Sequence, residues 1–356
     1  MNLTYNRSLQ PVYWGLLHGV NDLAAGFLLA AYTLTHGYSD SFLFISIYAI
    51  LGFGGQLPVG FWLDKQKNIA LFAKISVSLL PLSLLFFFIS AEAAIICSGV
   101  ASAFIHVTGG TICLQVHDNK SGPLGLFTAP GVLGLTIGGL LGEAGYWLPV
   151  ILLLATLLVT ISIFRLPLPV YQAPEKKESE LDRHDLVMLL LLLFMCFRSF
   201  LFDVVNYVAE NYEDGVLYIG VSAFLGKIIG GFVADKVGVR KFIYITLFTA
   251  LILFQFGKNN IYMLCAGIAF LQSSVPVTLL MMSRSLLFHP ASATAFSLGA
   301  SVIFAGLPLF LVSDKKVFHD LFTEPGLITV IYILILATAF FVTGLFMKKL
   351  FLNRYG

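Results

Sequence analysis

The chain has 356 residues, of which 58% are hydrophobic and only 11% are charged, and its mean hydropathy is +0.91. A soluble domain carries about 25% charged residues, so this composition excludes a soluble globular protein and indicates an integral membrane protein. The apolar runs are continuous where a membrane β-barrel alternates, which favours helices. The net charge of +2 is too small to suggest a nucleic-acid partner.

Twelve apolar runs follow one another along the chain, each close to the ~20 residues that a spanning helix needs. They cover residues 12–34, 41–63, 69–90, 93–115, 122–142, 146–165, 187–208, 215–234, 241–257, 260–283, 292–312 and 326–347. Residues 166–185 interrupt the series with prolines and charges of both signs, which is typical of a solvated linker. The sequence therefore predicts an all-α membrane protein with two six-helix bundles, residues 1–165 and 186–356.

Lysine and arginine are concentrated in alternate connections between these runs. A cytoplasmic N-terminus puts fifteen of them on the cytoplasmic side and only Lys258, Lys315 and Lys316 on the other side. The positive-inside rule then predicts that both termini are cytoplasmic. We expect a multi-pass protein of the plasma membrane, the inner membrane in a bacterium.

The two predicted bundles share a sequence pattern at an offset of 171 residues. The stretch GFGGQLPVGFWLDKQKN, residues 52–68, ends the second run, and AFLGKIIGGFVADKVGVRK, residues 223–241, ends the eighth. The aligned pairs include Gly60 with Gly231, Asp64 with Asp235 and Lys65 with Lys236. Because each unit has an even number of spans, the two pseudo-repeats are parallel, as in transporters whose site lies between two lobes.

Both stretches resemble the loop motif of the major facilitator superfamily, G-x-x-x-D-(R/K)-x-G-(R/K)-(R/K). The second copy is close to complete, with Gly231, Asp235, Lys236, Gly238, Arg240 and Lys241. The first copy keeps Gly60, Asp64 and Lys65 but has Lys67 and Asn68 where Gly-Arg is usual. The resemblance implies a twelve-helix transporter fold in which Asp64 and Asp235 gate the cytoplasmic side.

Elementary physics agrees with such a gate. The first N–H groups of a helix lack intrahelical partners and carry partial positive charge, so a carboxylate beside them can latch two bundles together. In the alternative interpretation, both aspartates only enforce topology together with the basic residues next to them.

Within the superfamily, three stretches are similar to fosmidomycin-resistance-type exporters. They are LLHGVNDLAAGFLLAAYTL in the first run, GVASAFIHVTGGT in the fourth and LGLFTAPGVLGLTIGGLLG in the fifth. This resemblance implies efflux by proton antiport. The fourth run has His106 but lacks the embedded arginine that many proton-coupled members carry there.

Ionisable residues inside a span cost about 2.5–3.5 kcal/mol to insert, so they usually mark a cavity, an ion pair or a proton relay. His18 and Asp22 are four residues apart and therefore share one face of the first helix, which Asn21 borders. A buried carboxylate disfavours its charged form. We predict Asp22 as the proton-coupling residue and His18 as its relay, against a purely structural hydrogen bond between them.

The seventh run carries Arg198, followed by Asp203, Asn206 and Tyr207. A buried arginine cannot lose its charge and needs an anion nearby. Two alternatives stay open: Arg198 pairs permanently with Asp22 or Asp203, or it receives an anionic group of the substrate.

The clearest difference between the repeats is Lys227, which aligns with Gln56. Lys227 either snorkels to the membrane surface or adds a second positive charge to a central cavity. His106 is the remaining ionisable candidate, against a packing role. The predicted cavity therefore comprises Arg198, Lys227, Gln56, His106, Asn21, Asp203, Asn206 and Tyr207.

These features predict a secondary transporter that works by alternating access and exports a small anionic or polar molecule with proton coupling. No phosphate-binding GxxxxGK[ST] pattern occurs, which favours ion gradients as the driving force. We expect a monomer in the lipid bilayer, with protons and a small substrate as partners and no enzymatic activity or cofactor. The alternatives are proton-coupled uptake of an anionic metabolite, export of a divalent metal ion through His18, Asp22 and His106, and a non-transporting receptor.

Overall fold

The computed structural model describes residues 7–66, 69–117, 119–163, 183–286, 289–310, 317, 320 and 325–352. Within these ranges the helices match the twelve predicted runs in order, and no strand occurs. Their bounds are α1 Gln10–His36, α2 Tyr38–Asp64, α3 Ile69–Phe86, α4 Ala91–Val116, α5 Gly122–Glu143, α6 Trp147–Ile163, α7 Arg183–Ala209, α8 Gly215–Val237, α9 Val239–Phe256, α10 Ile261–Ser285, α11 Pro290–Thr294 with Ala295–Ala300 and Ser301–Phe310, and α12 Pro325–Leu352.

Eight helices among the described residues are long and apolar enough to cross a bilayer, and two shorter apolar helices accompany them. Apolar side chains such as Leu43, Leu85 and Phe248 are exposed on the surface of the helices, where a bilayer would cover them. The predicted all-α membrane fold is confirmed.

Buried apolar side chains form two clusters. The first is built from α1 to α6 and includes four residues of α10 and α11, namely Leu279, Leu280, Ala291 and Ala295. The second is built from α7 to α12. The predicted linker lies outside the described residues from position 166 to 182, so the division at residues 166–185 stays a prediction.

Two helix starts repeat between the halves of the chain. The Ser90 side chain accepts a hydrogen bond from the Ala93 N–H at the start of α4. Asn260 does the same for the N–H groups of Tyr262 and Met263 at the start of α10. Both residues satisfy N–H groups that the first helical turn leaves without partners.

Helix α5 packs closely against α1 because glycines line their contact. A Cβ atom at Gly134 would lie 2.1 Å from the carbonyl oxygen of Gly19, and one at Gly138 would lie 2.1 Å from that of Leu23. Small residues let two membrane helices approach to backbone contact. The same helix contains Pro130, which removes one N–H from its hydrogen-bond ladder.

Wider turns interrupt α2 and α11 where the two helices meet. Residues Ile50–Gly54 of α2 and Ala295–Ala300 of α11 are π-helical. A Cβ atom at Gly299 would lie 2.4 Å from the carbonyl oxygen of Phe53, so these turns are in direct backbone contact. Single π turns often mark functional segments of helices.

The close contact between α1 and α5 predicts that a larger residue at this interface lowers the stability of the protein. Gly138→Ala places a methyl group against the Leu23 carbonyl, and overpacking of this kind costs about 1–3 kcal/mol. The neighbouring Gly139→Ala is the matched control, because a Cβ atom at Gly139 has nothing within 4 Å. Thermal unfolding of both purified variants should show a lower midpoint for Gly138→Ala alone, and equal midpoints would contradict the contact.

Candidate functional site

The centre of the site is a buried cluster of His18 and Asp22 from α1 with His106 from α4, called here the Asp22 cluster. His18 Nε2 lies 3.1 Å from Asp22 Oδ2, and His106 Nε2 lies 3.8 Å from Asp22 Oδ1. The two imidazole rings are 4.3 Å apart between centroids. Asn21 Nδ2 donates to Asp22 Oδ1 at 2.8 Å. Tertiary packing therefore brings together four of the predicted site residues.

The second nitrogen of each histidine defines its protonation. His18 Nδ1 lies 2.9 Å from the Phe127 carbonyl oxygen, and His106 Nδ1 lies 2.7 Å from that of Ser102. A carbonyl oxygen only accepts hydrogen bonds, so both Nδ1 atoms carry hydrogen. If an imidazole of this tautomer were neutral, the lone pair on its Nε2 would face the ionised carboxylate of Asp22, and two acceptors would repel each other. The Asp22 cluster therefore requires at least one further proton, or another cation, among its three groups.

Two residues that the sequence analysis missed extend this network towards α2. Ser102 Oγ lies 3.2 Å from His106 Nδ1, and Tyr48 OH donates to Ser102 Oγ at 3.4 Å. Both side chains are buried. The sequence could have indicated Ser102, because it is four residues from His106 and therefore lies on the same face of the helix.

Helix α5 closes the Asp22 cluster from the other side. Residues Phe127 to Gly131 lie against α1, and a Cβ atom at Gly131 would be 2.2 Å from His18 Nε2 and 2.6 Å from Asp22 Oδ2. Only glycine fits this position. Pro130 has no N–H, so the carbonyl of Leu126, four residues earlier, has no helical donor. The carbonyl of Phe127 contacts His18, and its oxygen has two lone pairs with which to accept hydrogen bonds.

The next carbonyl on α5 contacts Lys227 of α8. Lys227 Nζ is 3.4 Å from the Thr128 carbonyl oxygen, and a Cβ atom at Gly125 would lie 2.5 Å from the Lys227 carbonyl. The lysine is half-buried and points towards the interior of the protein. Its charge interacts with both Asp22 and Arg198. Lys227 therefore adds positive charge beside the Asp22 cluster.

Arg198 of α7 is 3% exposed and has no carboxylate partner among the described residues. One guanidinium nitrogen donates to Thr278 Oγ1 of α10 at 2.7 Å, and Nε of Arg198 is buried with no hydrogen-bond partner in the part of the chain that the structure describes. The permanent ion pair with Asp22 or Asp203, one of our two alternatives, is not formed. Asp203 is five residues from Arg198 and so lies on another face of α7.

The remaining predicted cavity residues separate into two places. Gln56 is fully buried, donates to the Gly52 carbonyl one turn earlier, and packs against Gly299 of α11. Asn206 lines a cavity of about 560 Å³ that α5, α7 and the start of α8 enclose. Asp203 and Tyr207, which precede and follow Asn206 on α7, are half-buried.

Both motif aspartates cap a helix of the other half of the chain. Asp64 accepts hydrogen bonds from the N–H groups of Ala291 and Ser292 at 3.0 and 2.8 Å and from Ser292 Oγ at 2.5 Å. Pro290 has no N–H, so these are the first donors of α11. His289 Nδ1 adds a 3.8 Å contact to Asp64.

Asp235 repeats the arrangement at α5. It accepts from the N–H groups of Ser121 and Gly122 at 2.7 and 2.9 Å and from Ser121 Oγ at 2.7 Å. Anionic side chains are stabilised at helix N-termini by these free N–H groups and the helix dipole. The two aspartates thus tie α2 to α11 and α8 to α5 on one face of the molecule, called here the motif face.

The other motif residues surround these two latches. Gly60 and Gly231 are buried, and a Cβ atom at either would lie within 3.0 Å of a backbone oxygen, of Ala291 and of Ser121 respectively. Gly238 has a φ of +91° and turns the chain from α8 into α9. The exposed basic residues are Lys65, Lys236, Arg240 and Lys241. Lys67 and Asn68 lie outside the described residues.

The ligand atoms of the Asp22 cluster all lie within 4.8 Å of one another, a spacing that could also hold a metal ion. Imidazole and carboxylate ligands suit several divalent metals. The direct hydrogen-bond distance between His18 and Asp22 is equally well explained by a shared proton.

The hydrogen bonds of Asp64 and Asp235, the two latches, predict that weakening one of them favours opening of the motif face. Asp235→Asn replaces two acceptor oxygens by one acceptor and one donor, which opposes the N–H groups of Ser121 and Gly122. Hydrogen bonds to a charged group contribute about 1.5–3 kcal/mol, so the variant should shift the population towards opening of the motif face by roughly tenfold or more.

A distance measurement between two spin labels tests this shift, with labels at Gln66 and Lys241 in a variant lacking the four native cysteines. The interlabel distance should lengthen in Asp235→Asn but not in Asp214→Asn, which changes a carboxylate outside the latches. An unchanged distance distribution would show that the latch does not hold this face closed.

No protein-family model and no curated relative matches the chain. Solved structures do. A fucose:proton symporter of E. coli, FucP, in a form with one substituted residue is 12% identical, with a TM-score of 0.70 over 94% of this chain and 97% of that one. FucP described in the outward conformation gives 12% identity and a TM-score of 0.71, with 94% and 98% of the chains covered.

The human organic anion transporter MFSD10 is 15% identical, with a TM-score of 0.61 over 94% of this chain and 99% of that one. Each of these neighbours is itself a transporter. The resemblance to fosmidomycin-resistance-type exporters stays a prediction. This chain has the fold of the major facilitator superfamily transporters.

Proposed function

We propose that this chain is a secondary transporter that couples protons to the movement of a small anionic molecule by alternating access. The observation that carries the proposal is the position of Lys227 and His18 on consecutive carbonyl groups of α5. The proposed proton-binding group and the cation Lys227 therefore share one region of the protein, and the charge of Lys227 also interacts with that of Arg198. Asp22 is the protonation site, and Arg198 and Lys227 are the anion-binding groups.

The two faces of the molecule support alternating access. The motif face is held closed by Asp64 and Asp235, while the cavity that Asn206 lines lies at the other end of α5, α7 and α8. Each latch joins the first six helices to the last six. We infer that the bundles 1–165 and 186–356 rock about the central site, and that the latches break when the motif face opens.

The positive-inside pattern supports a cytoplasmic motif face, and in that orientation the structure is closed to the cytoplasm. We propose a monomer in the plasma membrane with both termini cytoplasmic. Export remains our prediction for the biological direction, and the alternative is uptake of an anionic metabolite with protons. Whether protons move with the anion or against it depends on the charges of the site.

Divalent metal export is a second candidate function, because the Asp22 cluster gathers three ligand atoms within 4.8 Å. It does not account for Arg198 and Lys227, since two cations near the site would repel a metal ion. Anion transport and metal export can be distinguished in one assay by testing anions and divalent metals in parallel.

Everted membrane vesicles with a pH-sensitive dye test proton coupling, across small anions, cations and divalent metals. We expect an anion to cause a proton flux that Asp22→Asn abolishes, because an amide cannot exchange a proton near neutral pH. Asp40→Asn, an exposed carboxylate at the start of α2, is the matched control and should retain the flux. Proton flux that persists in Asp22→Asn would remove Asp22 from the coupling site.

Arg198 separates substrate binding from structure. If Arg198 binds the anion, Arg198→Ala should weaken anion affinity by about tenfold or more, since a charged hydrogen bond contributes about 1.5–3 kcal/mol. Thr278→Val removes the observed neighbour but keeps the charge, and it should retain most of the affinity. An Arg198→Ala variant with normal affinity and a lower unfolding temperature would make this arginine structural.

A further inference from the structure

We propose that the latch between Asp64 and the start of α11 is a pH-sensitive switch, in which protonation of His289 holds the motif face closed. The proposal goes beyond the transport function and depends on neither the substrate nor the coupling ion. It requires only that the motif face opens, as the proposed alternating access does. The contact involved shares no residue with the Asp22 cluster.

The position of His289 brings an exposed imidazole to a buried carboxylate. His289 is the N-cap residue of α11, and its carbonyl accepts the N–H of Ala293 at 2.9 Å. Its Nδ1 lies 3.8 Å from Asp64 Oδ2, and 58% of its side chain is exposed against 3% of the Asp64 side chain. The imidazole can therefore exchange protons with the aqueous phase while it faces the latch.

The charge of His289 affects the closed and the open arrangement in opposite ways. A histidine changes its charge between about pH 5 and pH 8. In the closed arrangement, the imidazolium faces the carboxylate that caps the N–H groups of Ala291 and Ser292. When Asp64 departs, the imidazolium stays at a helix N-terminus, whose free N–H groups disfavour positive charge.

Protonation of His289 therefore stabilises the closed face and destabilises the open one. A neutral imidazole makes neither contribution. A ligand shifts an equilibrium between two conformations by the difference in its affinity for them, and here the ligand is a proton. Acid should close the motif face, and alkali should release this part of the latch.

The second latch lacks this group. No histidine forms an ion pair with Asp235 in the part of the chain that the structure describes. Ser292, the hydroxyl partner of Asp64, follows His289 by three positions, whereas Ser121, the partner of Asp235, follows Asp118 by three positions. Asp118 lies outside the described residues. The pH input therefore acts on the latch between α2 and α11.

Other ionisable groups near the start of α11 do not imitate the effect of His289. On the described parts of the elements packed against Pro290–Thr294, these groups are Asp64 and Lys65 of α2, Arg284 of α10 and His117 at the end of α4. Lysine and arginine keep their charge between about pH 5 and pH 8. His117 Nε2 lies 3.0 Å from the Arg7 carbonyl oxygen. Protonation of Asp64 itself would weaken the latch, which is the opposite sign.

Distances between spin labels at Leu9 and Lys241 test the switch in the purified full-length chain, in a variant that lacks the four native cysteines. Both positions are exposed, and they lie beside the starts of α1 and α9. An Asp235→Asn background leaves the Asp64 latch as the intact one. Lowering the pH from about 8 to about 5.5 should reduce the open fraction roughly fivefold, the effect of one exposed ion pair or one charge at a helix end.

Three substitutions in this background identify the group. His289→Gln is neutral at both pH values and should lose the fivefold step. His289→Lys stays positive and should give a small open fraction at both pH values. His36→Gln is the matched control, because it removes an exposed histidine at the other end of α1, and it should retain the step.

Each possible failure has a separate meaning. A step that persists in His289→Gln shows that another group senses pH, and opening in acid that His289→Gln abolishes reverses the sign of the switch. A large open fraction of His289→Lys at both pH values excludes the ion pair as its cause. If the interlabel distance does not lengthen even when Asp64→Asn and Asp235→Asn are combined, alternating access at this face is wrong, and the switch is wrong with it.

Discussion

A carboxylate within a membrane protein must be paired, and the surroundings of Asp22 are organised by that requirement. Asp22 sits between two imidazoles and an amide, and each imidazole is held by a backbone carbonyl on its far side. The carbonyl of Phe127 can serve in this way because its oxygen has two lone pairs and can accept a hydrogen bond besides the helical one. Close contact between α1 and α5 depends in turn on glycines such as Gly138.

The second organising interaction is the capping of helix N-termini by Asp64 and Asp235. Each carboxylate satisfies N–H groups that a helix leaves free and does so across the two halves of the chain. Such contacts are strong when made and costly to leave unmade. They suit a switch with two discrete arrangements, because a helix start that loses its capping carboxylate must find water instead.

These two interactions meet on α5. Its first residues bind Asp235, its middle holds His18 and Lys227, and its far end lines the cavity beside Asn206. A rigid movement of α5 would therefore act on the latch, the proposed proton site and the cavity together. Helix α11 also receives a latch, but its middle contacts α2 through π-helical turns. The two repeats thus share their latch and differ at the centre.

Hydropathy and the repeated motif were sufficient to predict the helical membrane fold, because both signals are local in sequence. The positions of Asp64, Asp235, His18 and Asp22 followed from helical spacing and from the cost of burying charge. The residues that these side chains contact could not be predicted from the sequence. His106, Tyr48 and Ser102 reach the cluster, and Arg198 contacts Thr278 instead of an aspartate, only because helices cross at particular rotations. Sequence determined which charged groups lie within the apolar runs, whereas tertiary packing decided which of them are buried and which of them meet, since contacts between helices depend on crossing angle and close approach.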